Sequence, residues 1–168
     1  MKKLNFKLKG ILFLIFFGVI VINCSLSAQT DRRLNGRWVL EIGEYEYRIE
    51  YTFNNGNFET SSGGILSTRG TYTVANGVIT INTTHVFGDL YRNYGFSGLE
   101  SRWYANDEFY IAIRPFFRMQ GSSESMIDLF IDGMRETNNS VLNYSVDANT
   151  LILTSPDGVG NPSIFKKR

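Results

Sequence analysis

The sequence predicts a mainly β protein, an eight-stranded antiparallel up-and-down barrel with a helical insertion between strands five and six. Three observations carry that expectation. A ten-residue pattern recurs at Tyr51–Thr60, Tyr72–Ile81 and Tyr144–Leu153: Tyr, then Thr or Ser, then an apolar residue, a short Asn-containing turn and a second alternating run. Asn-Gly in the first two copies is the strongest short-range hairpin signal, because both residues accept the positive φ that tight hairpin turns demand. Tyr45, Tyr47, Ile49, Tyr51 and Phe53 alternate with Glu46, Arg48, Glu50 and Thr52, so one face of that strand is apolar and the other wet. Finally, about five strands precede a stretch of helical period and three follow it, and eight is the number at which a closed barrel has an interior just wide enough for side chains or one small ligand.

Taken in order, Leu34 to Ile42 reads as the first strand, with Trp38, Leu40 and Ile42 on one face and Gly36 letting the backbone bend where the Trp turns inward. The alternating strand follows, then the turn Asn54–Asn57 and a strand around Phe58. Ser61-Ser62-Gly63-Gly64 reads as a loop before a second hairpin over Arg69–Thr84, with Tyr72, Val74, Ile79 and Ile81 inward. Gly-rich loop sequence runs from His85 through Gly98. The helical insertion is expected over about 104–137: Asn106 suits an N-cap, Asp107 and Glu108 suit a first turn, and Pro115 should end or bend the helix. A second helix should follow Ser123, with Met126, Ile127, Phe130, Ile131 and Met134 forming an apolar stripe. Strand period resumes at Ser140, makes the third hairpin, and ends with Ser163–Arg168.

Residues 1–28 read as an export signal: Lys2, Lys3, Lys7 and Lys9 precede an apolar run from Ile11 to Ile22 that is short for a membrane span. Two cleavage readings stand beside a third, an uncleaved anchor. Val21-Ile22-Asn23-Cys24 resembles a bacterial lipobox, which would make Cys24 the lipid-attachment site, although Asn23 departs from the usual Gly, Ala or Ser. Ordinary cleavage near Ser27 or Ala28 is the rival. Cys24 is the only cysteine, so no disulfide is expected, and 29–168 reads as one domain held by its hydrophobic core. The formal charge of +1 includes the four signal lysines, so the remainder lies near −3. A nucleic-acid partner, which calls for a basic face, is therefore not expected.

The residues resemble the lipocalin-like domains of small exported bacterial proteins, within the wider calycin group. Gly36-x-Trp38, the hairpin Gly70-Thr71-Tyr72-Thr73-Val74, Trp103-Tyr104 before an acidic helix start, and a closing hairpin with a basic last strand carry the resemblance. Each motif is weak alone; their order is more specific. The resemblance implies that Gly36 and Trp38 plug the closed end of the barrel under a basic residue of the last strand, Arg168 or Lys167, in a cation–π contact. The sequence lacks the other signature loops and the disulfide of the animal lipocalins, and its long insertion is unlike them.

Inward residues Tyr47, Ile49, Tyr51, Tyr72, Ile81 and Tyr144 are the candidates for lining a ligand site, since a phenol presents an apolar body and a polar tip to a cavity. Filling the barrel is their alternative role. Trp103 and Phe130 are candidates for a lid, with packing on the barrel as the alternative. His85 is the single histidine, so neither a His/Cys metal site nor a Ser-His-Asp constellation is expected. Glu124, Asp128 and Asp132 read as a solvated helix face. No metal, cofactor or catalytic residue is nominated, and no enzyme. The expected function is an exported or lipid-anchored envelope module binding a small apolar or amphipathic molecule. The alternative is an envelope interaction protein with a packed barrel and no ligand. A membrane is expected only through Cys24.

Overall fold

A computed structural model describes residues 30–42 and 47–168, with backbone only at 41, 42 and 47. The export segment, Cys24 and the Tyr47 side chain lie outside the described residues. A 3-10 turn, Arg32–Leu34, leads into β1 (Gly36–Ile42), β2 (Tyr47–Asn54), β3 (Asn57–Ser62), β4 (Ile65–Ala75) and β5 (Val78–Phe87). After them come α1 (Gly88–Asn93), β6 (Trp103–Ala105), α2 (Asn106–Met119) and α3 (Glu124–Glu136). The chain finishes with β7 (Asn139–Val146), β8 (Thr150–Thr154) and β9 (Ser163–Lys167).

Eight of these strands close into an antiparallel barrel, β1-β2-β3-β4-β5-β7-β8-β9, with β9 returning to β1; β6 stands outside the ring on β5. The tight turns form as their residues require: Asn55 and Gly56 have φ 46° and 87°, Asn76 and Gly77 have φ 52° and 78°. In the third hairpin Asp147 Oδ1 accepts from the amides of Asn149 and Thr150, the side chain replacing a missing Gly as turn former. Gly63-Gly64 is not a loop but a two-residue hairpin turn, both residues at positive φ, so β4 begins at Ile65. Two register shifts, between Glu59 and Ser61 and between Arg69 and Gly70, mark bulges. Beyond the second, β5 changes neighbours: Val78–Asn82 pair with β7, whereas His85–Phe87 pair with β6.

One end of the barrel is plugged. Trp38 is wholly buried and its Nε1 donates to the Leu34 carbonyl at 2.6 Å, which ties the 3-10 turn beneath the ring. Lys167 lies opposite Trp38 across the β1–β9 seam, its Nζ 5.0 Å from the ring centroid. The cation over Trp38 is thus Lys167, while Arg168 donates its backbone N–H to the Arg37 carbonyl. Gly36 sits at φ 125°, and a Cβ there would stand 3.0 Å from Lys167 Cε, so both backbone and cation call for glycine. Around this plug pack Leu34, Phe53, Phe58, Tyr72, Ile79, Leu151 and Phe165.

A second core joins Val86, Leu99, Tyr104, Phe109, Tyr110, Ile113, Ile127 and Ile131. Val86 pairs with Thr68 on one side and Tyr104 on the other. Thr68 shares the face of Gly70, Tyr72 and Val74, so this core grows on the continuation of the barrel's inner face. Helix begins earlier than expected, at Gly88, where a Cβ would collide with the Glu100 carbonyl at 2.1 Å. Pro115 does not end α2, which continues to Met119. The helix loses one backbone bond at Pro115, while Phe116 and Phe117 hold the next turn against Phe96 at 4.2 and 5.6 Å. Asn106 is the first residue of α2 rather than its cap, and its Nδ2 donates to the Thr83 carbonyl at 2.7 Å. Ser123 caps α3, its Oγ accepting from Met126 N.

Trp38→Ala should lower stability by about 3–5 kcal/mol, as expected for truncating a buried large aromatic. Lys167→Met should cost about 0.5–1 kcal/mol by removing an exposed cation–π partner. Urea unfolding measures both; a Trp38→Ala midpoint equal to the parent's would remove the plug from the account.

Candidate functional site: the barrel lumen

The plugged half of the lumen is filled by rings. Tyr51 stacks on Phe53 (centroids 5.6 Å apart, planes at 10°) and meets Phe165 edge-on at 5.4 Å. Phe53 in turn meets Tyr72 edge-on at 4.9 Å. Tyr72 is 2% exposed, with its hydroxyl 3.5 Å from Asn35 Oδ1, and Ile81 is 5% exposed. The structure therefore places Tyr72 and Ile81 in the core of the plugged half. Tyr144 faces inward too, but its hydroxyl donates to Asp31 Oδ2 at 3.1 Å. That contact turns the phenol toward the N-terminal segment and a shallow hollow of about 320 Å³ beside Asn76.

Ile49, paired with Leu40, lies one register step nearer the mouth than Tyr51, which pairs directly with the plug residue Trp38. Ile49 and Tyr51 are only half-buried, as are Leu40 and Leu142, which pack on the same core. Leu142 was missed as a candidate, although Leu142, Tyr144 and Val146 share one face at period two. Beside Tyr51, its cross-strand partner Thr60 shares the inner face with Thr68, their hydroxyls 2.7 Å apart, and the Thr68 amide donates to Thr60 Oγ1.

Tyr51 differs from the other inward tyrosines in one respect. It lies deep enough that burial alone raises its phenol pKa above the ordinary value, yet it keeps accessible surface. Among the described residues its hydroxyl makes no hydrogen bond, whereas Tyr72, Tyr104, Tyr110 and Tyr144 all have polar partners. A hydroxyl without a protein partner is open to a hydrogen bond from a guest or water.

The lid candidates lie elsewhere. Trp103 pairs with Phe87 on the barrel's outer face, rings 5.0 Å apart, and carries the Arg69 guanidinium 4.6 Å above its centroid. Phe130 is 47% exposed on α3 and leans on Phe117 at 4.7 Å. α2 instead buries Phe109 and Ile113 in the second core, which includes Val86 of β5. The acids of α3 are tied to arginines: Glu124 to Arg114 and Arg118, Asp128 to Arg114, and Asp132 to Arg135. Among the described residues no three His, Cys, Asp or Glu side chains are grouped to hold a metal ion, and no helix is long and apolar enough to cross a membrane.

His85 faces outward, its Nδ1 2.9 Å from Thr84 Oγ1. Desolvation, then the Arg69 charge, lowers its pKa, against an opposing pull from Glu108. The unfolded chain thus binds this proton more readily, so stability falls as pH drops below about 6.5, the ordinary histidine value. NMR titration should give a His85 midpoint below that of a free histidine. Arg69→Gln should move it up and Glu108→Gln further down; the reverse order would contradict the charge arrangement. Neither protein-family models, curated proteins nor solved structures give a significant match to the chain.

Proposed function

We propose that the protein is a lipocalin-like binding module that holds one small amphipathic molecule in the mouth half of its barrel. The guest's apolar body lies against Leu40, Ile49 and Leu142, and its polar group meets the Tyr51 hydroxyl. The single observation behind this reading is that hydroxyl, carried by a half-buried, inward-facing tyrosine and without a partner among the described residues. Half-buried aliphatic residues beside it supply what small-molecule sites use, a mostly apolar wall with a few placed polar groups. In the same reading residues 1–28 export the chain into the bacterial envelope. Cys24 is the anchor if the signal is a lipoprotein signal. No catalytic step is assigned.

One observation favours a second reading, an envelope interaction protein. Met126, Leu129 and Phe130 are 59%, 68% and 47% exposed along one side of α3, an apolar stripe on a surface that otherwise pairs its charges.

A displaceable naphthylamine probe separates the two. Under the lumen reading Tyr51→Phe leaves stability unchanged or slightly raised, since it deletes an unpartnered polar atom. It weakens a hydrogen-bonding guest by about 3- to 10-fold, the worth of one hydrogen bond. Ile49→Trp fills the space and abolishes binding. Probe binding indifferent to both substitutions, but lost in Leu129→Asp, would move the function to α3.

A further inference from the structure

The outer wall of the barrel carries a second concave surface, a groove of about 480 Å³ across β2, β3, β4 and β5. Its side chains form two rows set by strand register. In one row Thr52 pairs with Glu59, Glu59 with Arg69, and Arg69 with His85. In the other, Asn54 pairs with Asn57 and Asn57 with Thr71. Four strands at about 4.8 Å spacing make the first row about 14 Å wide, the length of two or three linked pyranose rings.

The charges in this groove are left unspent. Glu59 and Arg69 are direct cross-strand neighbours, the arrangement in which opposite charges normally pair. Elsewhere Arg37, Arg48, Arg92, Arg102, Arg114 and Arg118 each hold a carboxylate. Arg69 instead lies on Trp103, and among the described residues Glu59 has neither a salt bridge nor a hydrogen bond. The side chains of Thr52 and Thr71 are likewise without hydrogen bonds among the described residues.

We propose that this grid is a binding site for a neutral saccharide of two or three units, distinct from the lumen. Sugar hydroxyls both donate and accept, which matches one carboxylate, one guanidinium, amides and hydroxyls set side by side. Opposed charges of equal size favour neither a simple anion nor a simple cation.

The full chain is titrated with chitotriose, cellotriose and maltotriose while backbone amide NMR shifts and tryptophan emission are followed. Trp38 is wholly buried, so an emission change reports Trp103 beneath Arg69. The expected result is saturable shifts at Glu59, Arg69 and Thr71 with at least one of the three sugars. Glu59→Gln and Arg69→Met should each weaken that sugar about tenfold, the loss of a charge-assisted hydrogen bond, with lumen-probe affinity unchanged. Silence with all three sugars at about 10 mM, a range that reaches weak binding, would overturn the proposal. So would shifts that survive both substitutions, or a response to acetate or glycylglycine without one to any sugar.

Discussion

Closure of the barrel depends on its narrowest seam. β4 and β5 share eight register pairs, whereas β1 and β9 share only Trp38 with Lys167 and Val39 with Lys166. Those two pairs and the Arg168 N–H on the Arg37 carbonyl make a weak clasp by backbone hydrogen bonding alone. Trp38 supplies the rest. Burying an aromatic side chain of about 150–250 Å² at about 25 cal/mol per Å² contributes about 4–6 kcal/mol. The ring is fixed at three points: its Nε1 on the Leu34 carbonyl, Lys167 above it, and a glycine before it that leaves room for both. Asn35 adds a clamp by bonding Asn55 across the same end through Nδ2 to Oδ1 and through Oδ1 to the Asn55 amide.

That plug gives the barrel its polarity. Rings gather at the plugged end, where Trp38 pairs with Tyr51, and the half-buried Leu40, Ile49 and Leu142 also pack on this core. The mouth half has a different problem. Two bulges increase local twist there, and the upper part of β5 parts from β7. Its edge would be left unpaired, and β6 covers it. Because Val86 and Tyr104 then continue the inner face, α2 and α3 assemble over that face and not against the outside of the barrel. The insertion thus completes the sheet as well as covering its upper end.

Strand alternation made the inward face of Trp38, Tyr51, Tyr72, Ile81 and Tyr144 readable from sequence, together with the number of barrel strands and the Asn-Gly turns. It did not give depth. Tyr51, Tyr72 and Tyr144 look equivalent in the repeated Tyr-Thr/Ser-apolar pattern, yet the first has a hydroxyl without a partner among the described residues, the second is packed beneath Asn35 and the third is held by Asp31. Depth depends on stagger around the ring, a property of all eight strands together. Local rules misled where tertiary contacts outweighed them. Gly63-Gly64 suggested flexibility, but two positive φ values are also what a tight hairpin uses. Pro115 suggested a helix end, but the phenylalanines after it have partners on Phe96. Trp103 looked like a lid because nothing local reveals that β5 exchanges β7 for β6.

The bulge between Arg69 and Gly70 connects the two surfaces. By shifting register it places His85 opposite Arg69 and sends the end of β5 toward β6. That brings Trp103 beside Arg69, and the guanidinium settles on the indole and leaves Glu59 without its cross-strand partner. The same shift keeps Thr68 and Val86 on the inner face, where the second core begins. A single extra residue in β5 therefore sets the outer charges apart and seats the helices at the mouth. Any event that drew Arg69 back to Glu59 would release Trp103 from its cation, and Trp103 is bonded through β6 to the strand whose opposite face carries Val86. The polar groove outside and the apolar lumen inside are separated by one strand, and the geometry of that strand is common to both.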